Sequence, residues 1–410
     1  MKRSWFFLFV AGLWIFAACA AVRTTASGTA ESPPTVLLIS MDGFRADYLD
    51  RFHTPHLHAF AADGVRAEAL IPSYPTVTFP NHYTIVTGLY PEHHGIVANE
   101  MYDPRTGHHF DIKDDAAVSS SEWWGGEPIW VTAEKQKKVA ATLFWVGSSA
   151  EIKGVRPTYW RPYDKTLSVE KRLQQVYEWL ALPTGKRPQL ITLYFEEPDA
   201  AGHAAGPESD LVRQAVERMD ATFGQLWEEL GARKLRDQLN IVLVSDHGMA
   251  DVPADHGIAI GPALGNDAAE IAGGTAFLSV FPKDGAEARL YARLKKFHPH
   301  LKVFRKSEIP ERFHFRDSAR ISPLFVVADE GWAIKKTTGG NAKAGGAHGY
   351  DNASTQMRGI FLAAGPAFRK GITVPAFGNI EVYNLLCRIL RLTPSPNDGV
   401  FERVSGMFAP

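Results

Sequence analysis

Short unbroken apolar runs alternate with longer stretches of three-and-four periodicity along most of the chain. The runs "TVLLIS", "VAATLFWV", "QLITLYF", "NIVLVS", "AFLSVF" and "GIFLAAG" have strand length and little polar alternation. That is the pattern of strands buried on both faces of a mostly parallel sheet. The clearest helix between them is "SDLVRQAVERMDATFGQLWEELGA", where Leu211, Ala215, Met219, Phe223, Leu226 and Leu230 recur every three or four residues and Ser209 can cap the start. Alternation of the two kinds predicts an α/β fold, a mostly parallel central sheet flanked by helices on both faces. Residues from roughly 250 to 345 are richer in Pro, Gly and basic residues and break the rhythm, so a smaller inserted cap is expected there.

The two ends read differently. Met1-Lys-Arg-Ser followed by "WFFLFVAGLWIFAACAA" has the charged start, apolar run and small residues of a secretory signal over residues 1–21. The run stops near Ala21, short of the roughly 18 to 20 apolar residues that span a bilayer. Residues 22–34 are small, polar and proline-terminated, a flexible lead-in to a folded domain over 35–410. Cys19 stands where a bacterial lipoprotein signal places its lipidated cysteine, although Phe16 replaces the usual leucine, and lipidation is the alternative to simple cleavage. The expectation is export to the periplasm or the cell exterior.

Composition narrows the partners. With 410 residues, 45% apolar and 22% charged, the chain can bury a large core. Its 44 basic and 45 acidic residues give a net charge of −1, so nothing draws the whole chain to nucleic acid or anionic lipid. A phosphate-bearing small molecule must be held locally, and membrane contact is expected only through a lipid at Cys19. The other cysteine, Cys387 in "VYNLLCRILRL", reads as a buried small hydrophobe, so no internal disulfide is expected.

Three acidic residues follow expected strands: Asp42 in "LLISMDGF", Asp199 in "ITLYFEEPDAAGH" and Asp246 in "IVLVSDHGM". Ligands of open α/β sheets bind beyond the carboxyl ends of the strands, so these carboxylates can converge. His203 follows Asp199 by four residues, a spacing that lets both meet one ion on a helical face. His247 adjoins Asp246, and His348 sits in the glycine-rich "GGAHGYDN". Three carboxylates and three imidazoles suffice for two divalent ions, and the mixed oxygen and nitrogen donors suit zinc. Alone, each residue is a cap, a turn former or a solvated histidine; the set of six carries the reading. The other histidine groups (His53, His56 and His58; His93 and His94; His108 and His109; His256) read as solvated or loop residues.

The segment "YPTVTFPNHYTIVTGLYPEHHGI" adds a hydroxyl. A helix is expected to begin at Pro80, which places Thr78 just ahead of its amino end, where free N–H groups favour an anion. From the segment alone Thr78 is equally a nucleophile or a simple cap.

Together "ISMDGFRADYLD", "PTVTFPNHYTIVTGLYPEHHGI", "NEMYDP", "GEPIWVTAEKQ", "EEPDAAGH", "SDHGM" and "AHGYDN" resemble the nucleotide pyrophosphatase/phosphodiesterase family of the alkaline phosphatase superfamily. The resemblance implies an alkaline-phosphatase-like fold and two zinc ions, one held by Asp199, His203 and His348 and the other by Asp42, Asp246 and His247. It also implies that Thr78 contacts the metal as nucleophile, that Asn99 binds a phosphoryl oxygen, and that Phe79, Tyr163 and Tyr194 line the pocket for the base or other substituent. Val146 in "WVGS" replaces the family's proline. The implied reaction is hydrolysis of nucleotide phosphodiester or phosphoanhydride bonds through a covalent threonine intermediate. Arg45, the one arginine of these catalytic segments, is expected to point away on the following helix, which suits a singly charged diester. A choline-phospholipid phosphodiesterase or a phosphonate hydrolase with the same site is the alternative, and a silent nucleotide-binding protein a third reading.

Overall fold

A computed structural model describes residues 1, 2, 34–337 and 342–410 of the chain. All of the expected signal segment but its first two residues, Cys19 included, and all of the lead-in but Pro34 lie outside the described residues. From the amino end, β1 (Thr35–Met41), β2 (Val65–Ala67), β3 (Ala140–Leu143), β4 (Tyr159–Arg161), β5 (Leu190–Phe195) and β6 (Leu239–Val244) enter a central sheet. Strands β7 (Ala268–Gly273), β8 (Phe277–Pro282), β9 (Leu301–Arg305) and β10 (Leu324–Ala328) form a separate one, and β11 (Phe361–Ala364) and β12 (Ile372–Val374) return to the first. The central order is β12-β2-β11-β6-β1-β5-β3-β4, with β11 alone antiparallel to its neighbours.

Both faces of this sheet are covered, which explains the unalternating runs. Val36 and Leu38 pack on one side with α2 (Thr78–Thr87), α3 (Ile129–Lys135) and α7 (Val382–Leu390). Leu37, Ile39 and Met41 pack on the other with α1 (Pro55–Ala62), α4 (Val169–Leu180) and the long α6 (Asp210–Ala232), while the short α5 (Asp199–Ala205) lies at the strand ends. Ser209 caps α6 as expected, its Oγ accepting from Val212 N. The apolar stripe begins one residue later than the sequence suggested: Leu211 is exposed and Val212 buried. Cys387 is buried on α7.

Two expectations need correction. "AFLSVF" is β8, a strand of the second sheet, whose order β7-β8-β10-β9 is antiparallel throughout. An apolar run marks a doubly covered strand but does not say which sheet owns it. The first helix of the threonine segment starts at Thr78 instead of Pro80, so Thr78 is its first residue and Val77 the cap.

Register positions the strand ends. Ser40 on β1 lies opposite Tyr194 on β5 and Val244 on β6. Asp42 and Asp246 each follow by two residues, and their carboxylates emerge side by side. Gly43, with φ +66°, turns the chain where a Cβ would meet Asp199 Cβ at 2.8 Å, and Asp199 N donates to Asp42 O at 3.0 Å. Only glycine allows that approach.

Arg320, between β9 and β10, is buried and fans out across several segments. Its Nε donates to Asp103 Oδ2 at 2.9 Å, Nη1 to Gly95 O at 2.8 Å and Trp123 O at 2.7 Å, and Nη2 to Glu122 O at 3.0 Å. Asp103 belongs to the hairpin of Glu100–Asp103 and His108–Asp111 that follows Asn99.

His94 is a further correction: it is buried, with its Nε2 3.0 Å from Thr84 Oγ1, while its neighbour His93 stays exposed beside Asp398. Burial pushes the His94 imidazole from its ordinary 6.5 down to about 3. Because the folded value lies below the unfolded one, the stability due to neutral His94 is full above pH 6.5 and is lost as pH falls toward 3. Urea midpoints of the protein and a His94→Gln variant should therefore converge between about pH 7 and about pH 4; a constant gap would contradict this.

Candidate metal centre

The three carboxylates and three imidazoles meet beyond the carboxyl ends of β1, β5 and β6. Asp42 comes from the β1 exit, Asp246 and His247 from the β6 exit, Asp199 and His203 from consecutive turns of α5, and His348 from the loop after Gly345–Ala347. Asp42, Asp246, His247 and His348 are buried.

Each imidazole is oriented by a backbone carbonyl. His247 Nδ1 lies 2.9 Å from Gly248 O, His348 Nδ1 2.9 Å from Thr76 O, and His203 Nδ1 2.9 Å from Gly346 O. A carbonyl only accepts, so Nδ1 carries the proton and each Nε2 turns a lone pair into the centre. His348 Nε2 lies 3.0 Å from His203 Nε2 and 3.6 Å from Asp199 Oδ1, and His203 Nε2 is 3.5 Å from that same oxygen. His247 Nε2 stands 3.1 Å from Asp246 Oδ2 and 3.4 Å from Asp42 Oδ1.

The carboxylates are treated likewise. Asp42 Oδ2 accepts from Tyr194 OH at 2.7 Å and Asp246 Oδ1 from Gly43 N at 3.2 Å. Among the described residues, Asp42 Oδ1, Asp199 Oδ1 and Asp246 Oδ2 are buried and accept no well-aligned hydrogen bond, the nearest N–H to Asp246 Oδ2 being that of His82 at 3.2 Å. Unpaired anionic oxygens facing unprotonated nitrogens repel one another and cost several kcal/mol unless a cation sits between them. The donor set therefore fits a divalent cation. Asp42, Asp246 and His247 have ligand atoms within 4.8 Å of one another, and so do Asp199, His247 and His348. His247 belongs to both sets, and its ring stacks on His348 at 3.6 Å between centroids. The Asp199, His203 and His348 distances form an equally tight triangle, so the set around Asp199 has four candidate ligands.

Protonation follows the crowding. Burial first, then the charges of Asp246 and Asp199, push the Asp42 carboxyl well above the usual carboxylate range. Burial also works against charge on Asp246, but His247 and His82 outweigh it and hold that carboxyl below the range. Burial, with His247 next to it, holds His348 down to about 3.

Thr78 Oγ1 lies 3.3 Å from His247 Nε2 at the amino end of α2. Phe79 N donates to Asn99 Oδ1 at 2.9 Å, which leaves the Asn99 NH2 as the end that can face an anion. The Phe79 ring leans on Phe110 and Trp124 at 5.9 and 6.2 Å between centroids. Tyr163 is half exposed, with its hydroxyl donating to Glu196 at 2.9 Å, and Glu196 is held by buried Arg172. Tyr194 has its hydroxyl committed to Asp42, so its place is beneath the ligand carboxylate as well as beside Tyr163. Val146 is buried between Trp145, whose Nε1 donates to His82 O at 3.1 Å, and Gly147. Beside His203 and His348 a cavity of about 180 Å³ is lined by Asn99, Lys113 and Thr275 among others. Arg45 is buried on the path out of β1, not on a helix; it is spent on Asp47, Glu208 and Met249 O. His82 was not singled out in the sequence. Its position four residues after Thr78 in a helix is the signal that could have found it.

A model of the type I phosphodiesterase / nucleotide pyrophosphatase family matches residues 36–351. Venom phosphodiesterase CdcPDE of Crotalus durissus collilineatus is 38% identical over 400 residues, covering 94% of this chain and 48% of the venom protein. The chain thus spans about half the length of that relative. Human ectonucleotide pyrophosphatase/phosphodiesterase family member 5 is 38% identical over 373 residues, covering 91% of this chain and 77% of the human protein. The structure of murine ectonucleotide pyrophosphatase/phosphodiesterase 5 matches with a TM-score of 0.88 at 37% identity, over 92% of this chain and 100% of that one. A second structure of the murine protein is an inactive threonine-to-alanine variant in complex with AMP.

A divalent cation added to the chelator-treated protein should raise its melting temperature, since saturation at 100 times the dissociation constant adds about 2.7 kcal/mol. Asp42→Asn combined with Asp199→Asn should remove most of that increment, and an undiminished increment in the double variant would exclude both carboxylates as ligands.

Proposed function

The chain belongs to the type I phosphodiesterase / nucleotide pyrophosphatase family, and from that premise we propose that it is an exported two-zinc phosphodiesterase that releases nucleoside monophosphates. The observation that carries the reading is the meeting of three carboxylate oxygens without a well-aligned donor, three inward-turned Nε2 atoms and one threonine hydroxyl at the amino end of a helix. Asp199, His203 and His348 would hold one zinc, and Asp42, Asp246 and His247 the other, with Thr78 reaching between. Bound there, the ions supply the Lewis acidity that makes a threonine hydroxyl reactive near neutral pH and neutralises charge on the departing oxygen.

The rest is done by the chain's own groups. Thr78 Oγ1 releases its proton to solvent and forms a bond to the α-phosphorus, and the bond from phosphorus to the leaving oxygen breaks with its electron pair on that oxygen. The Asn99 NH2, with the Thr78 N–H at the start of α2, holds a non-bridging oxygen as negative charge builds. Water then cleaves the phosphothreonine diester and returns the hydroxyl to Thr78. Phe79 and Tyr163 offer the aromatic faces against which a base can lie.

A diester or phosphoanhydride suits the charge of the site. Arg45 is committed elsewhere, and the anion partners are neutral donors, which match a singly charged phosphoryl centre better than a monoester dianion. The murine threonine-to-alanine variant called inactive in its AMP complex supports the same assignment for Thr78. The second sheet, with its neighbouring segments, is read as the cap.

Phosphorus NMR of ATP with the zinc-loaded protein should show AMP and pyrophosphate. Release of choline phosphate from a lysophospholipid with ATP intact would select a lipid substrate instead. Thr78→Ala should keep its zinc and lose turnover, and substantial activity in that variant would refute the nucleophile assignment.

A further inference from the structure

His82 is a buried imidazole that joins neither cation set yet touches both Asp246 and the backbone of Thr78. Helical side chains lean toward the amino end, so residue 82 reaches back over residue 78. Its Nδ1 lies 3.0 Å from Thr78 O and 3.2 Å from Asp246 Oδ2, and its Nε2 lies 2.8 Å from Ser40 Oγ. The Thr78 carbonyl can only accept, so Nδ1 carries the proton and Nε2 accepts from the Ser40 hydroxyl. Trp145 and Tyr194 hold the ring edge-on, with centroids at 5.3 and 5.2 Å.

We propose that His82 is a positioning residue for phosphoryl transfer, its single Nδ1–H pinning the Thr78 backbone beside the Asp246 carboxylate. The inference rests on the two-zinc, Thr78 reading above. Ser40 stands two residues before Asp42 on β1, so the imidazole joins β1, the β6 exit and α2, the three elements that must keep ångström-level register for in-line attack. No proton leaves or enters the ring in this role. It sets the distance between a nucleophile and a cation ligand that lie 168 residues apart in sequence (246 minus 78).

The test uses the zinc-loaded full chain with His82→Gln, His82→Asn, Ser40→Ala and Thr78→Ala. Gln places its amide near the Nε2 position and loses the donor at Nδ1, whereas Asn keeps a donor there. His82→Gln should lower kcat by about 10- to 100-fold and weaken zinc binding, read by chelator competition, by a similar factor. KM should stay within about twofold, the signature of a contribution made in the transition state. His82→Asn should recover most of both losses. Ser40→Ala, which frees the ring without opening a large cavity, should lower kcat severalfold, and this variant decides the question if the His82 variants do not fold. A merely structural residue would lower the melting temperature of both His82 variants alike and leave kcat and zinc affinity of the folded fraction untouched; that result overturns the proposal, as does unchanged kcat in Ser40→Ala. Thr78→Ala separates the two levels: its full turnover would overturn the nucleophile reading and the proposal with it, whereas an inactive Thr78→Ala beside fully active His82→Gln would overturn the proposal alone.

Discussion

Everything at this centre follows from the burial of negative charge. Parallel strands of matched register deliver Asp42 and Asp246 side by side, and the turn at Gly43 brings Asp199 against them. Two like charges about 4 Å apart repel by about 1 kcal/mol in water and by about 4 kcal/mol at the effective dielectric of a protein surface. Among the described residues no donor is aimed at the inward oxygens of Asp42 and Asp199, and the one N–H near that of Asp246, on His82, is shared with the Thr78 carbonyl. The fold therefore carries a deficit of positive charge at one point, and the carbonyls of Thr76, Gly248 and Gly346 turn three imidazoles so that their lone pairs deepen it. Such a site is organised before a cation arrives, because the other side-chain atom of Asp42, Asp246 and each of the three histidines is already occupied.

Strand-end carboxylates were legible because a parallel sheet gives sequence position a spatial meaning. An acidic residue just past an unalternating run lies at the same end of the sheet as every other such residue. The pair Asp199 and His203 was legible from helical spacing. His82 carried the same spacing to Thr78 but was passed over, because it follows no strand and lies in a helix buried nearly all round. His94 beside exposed His93 shows the matching failure: adjacent residues share a sequence neighbourhood and no environment. The β8 run and the shift from Leu211 to Val212 fail for another reason, since apolar content marks burial but not the partner or the phase of packing.

Charge also separates the site from its surroundings. Arginines near it serve as struts: Arg45 anchors the exit of β1, and Arg172 holds Glu196 and through it Tyr163. With these guanidiniums spent, the uncommitted donors on the reading proposed here are a side-chain amide and the start of a helix. Directional, uncharged donors of that kind discriminate by geometry more than by total charge.

Arg320 gives the molecule a mechanical property. Its guanidinium binds Asp103 and three carbonyls at once, joining the second sheet to the hairpin that follows Asn99. Hydrogen bonds of a charged group are worth about 1.5–3 kcal/mol each, so prising the two apart means losing several together. Sheet and hairpin thus travel as one stiff body, like a bolted lintel.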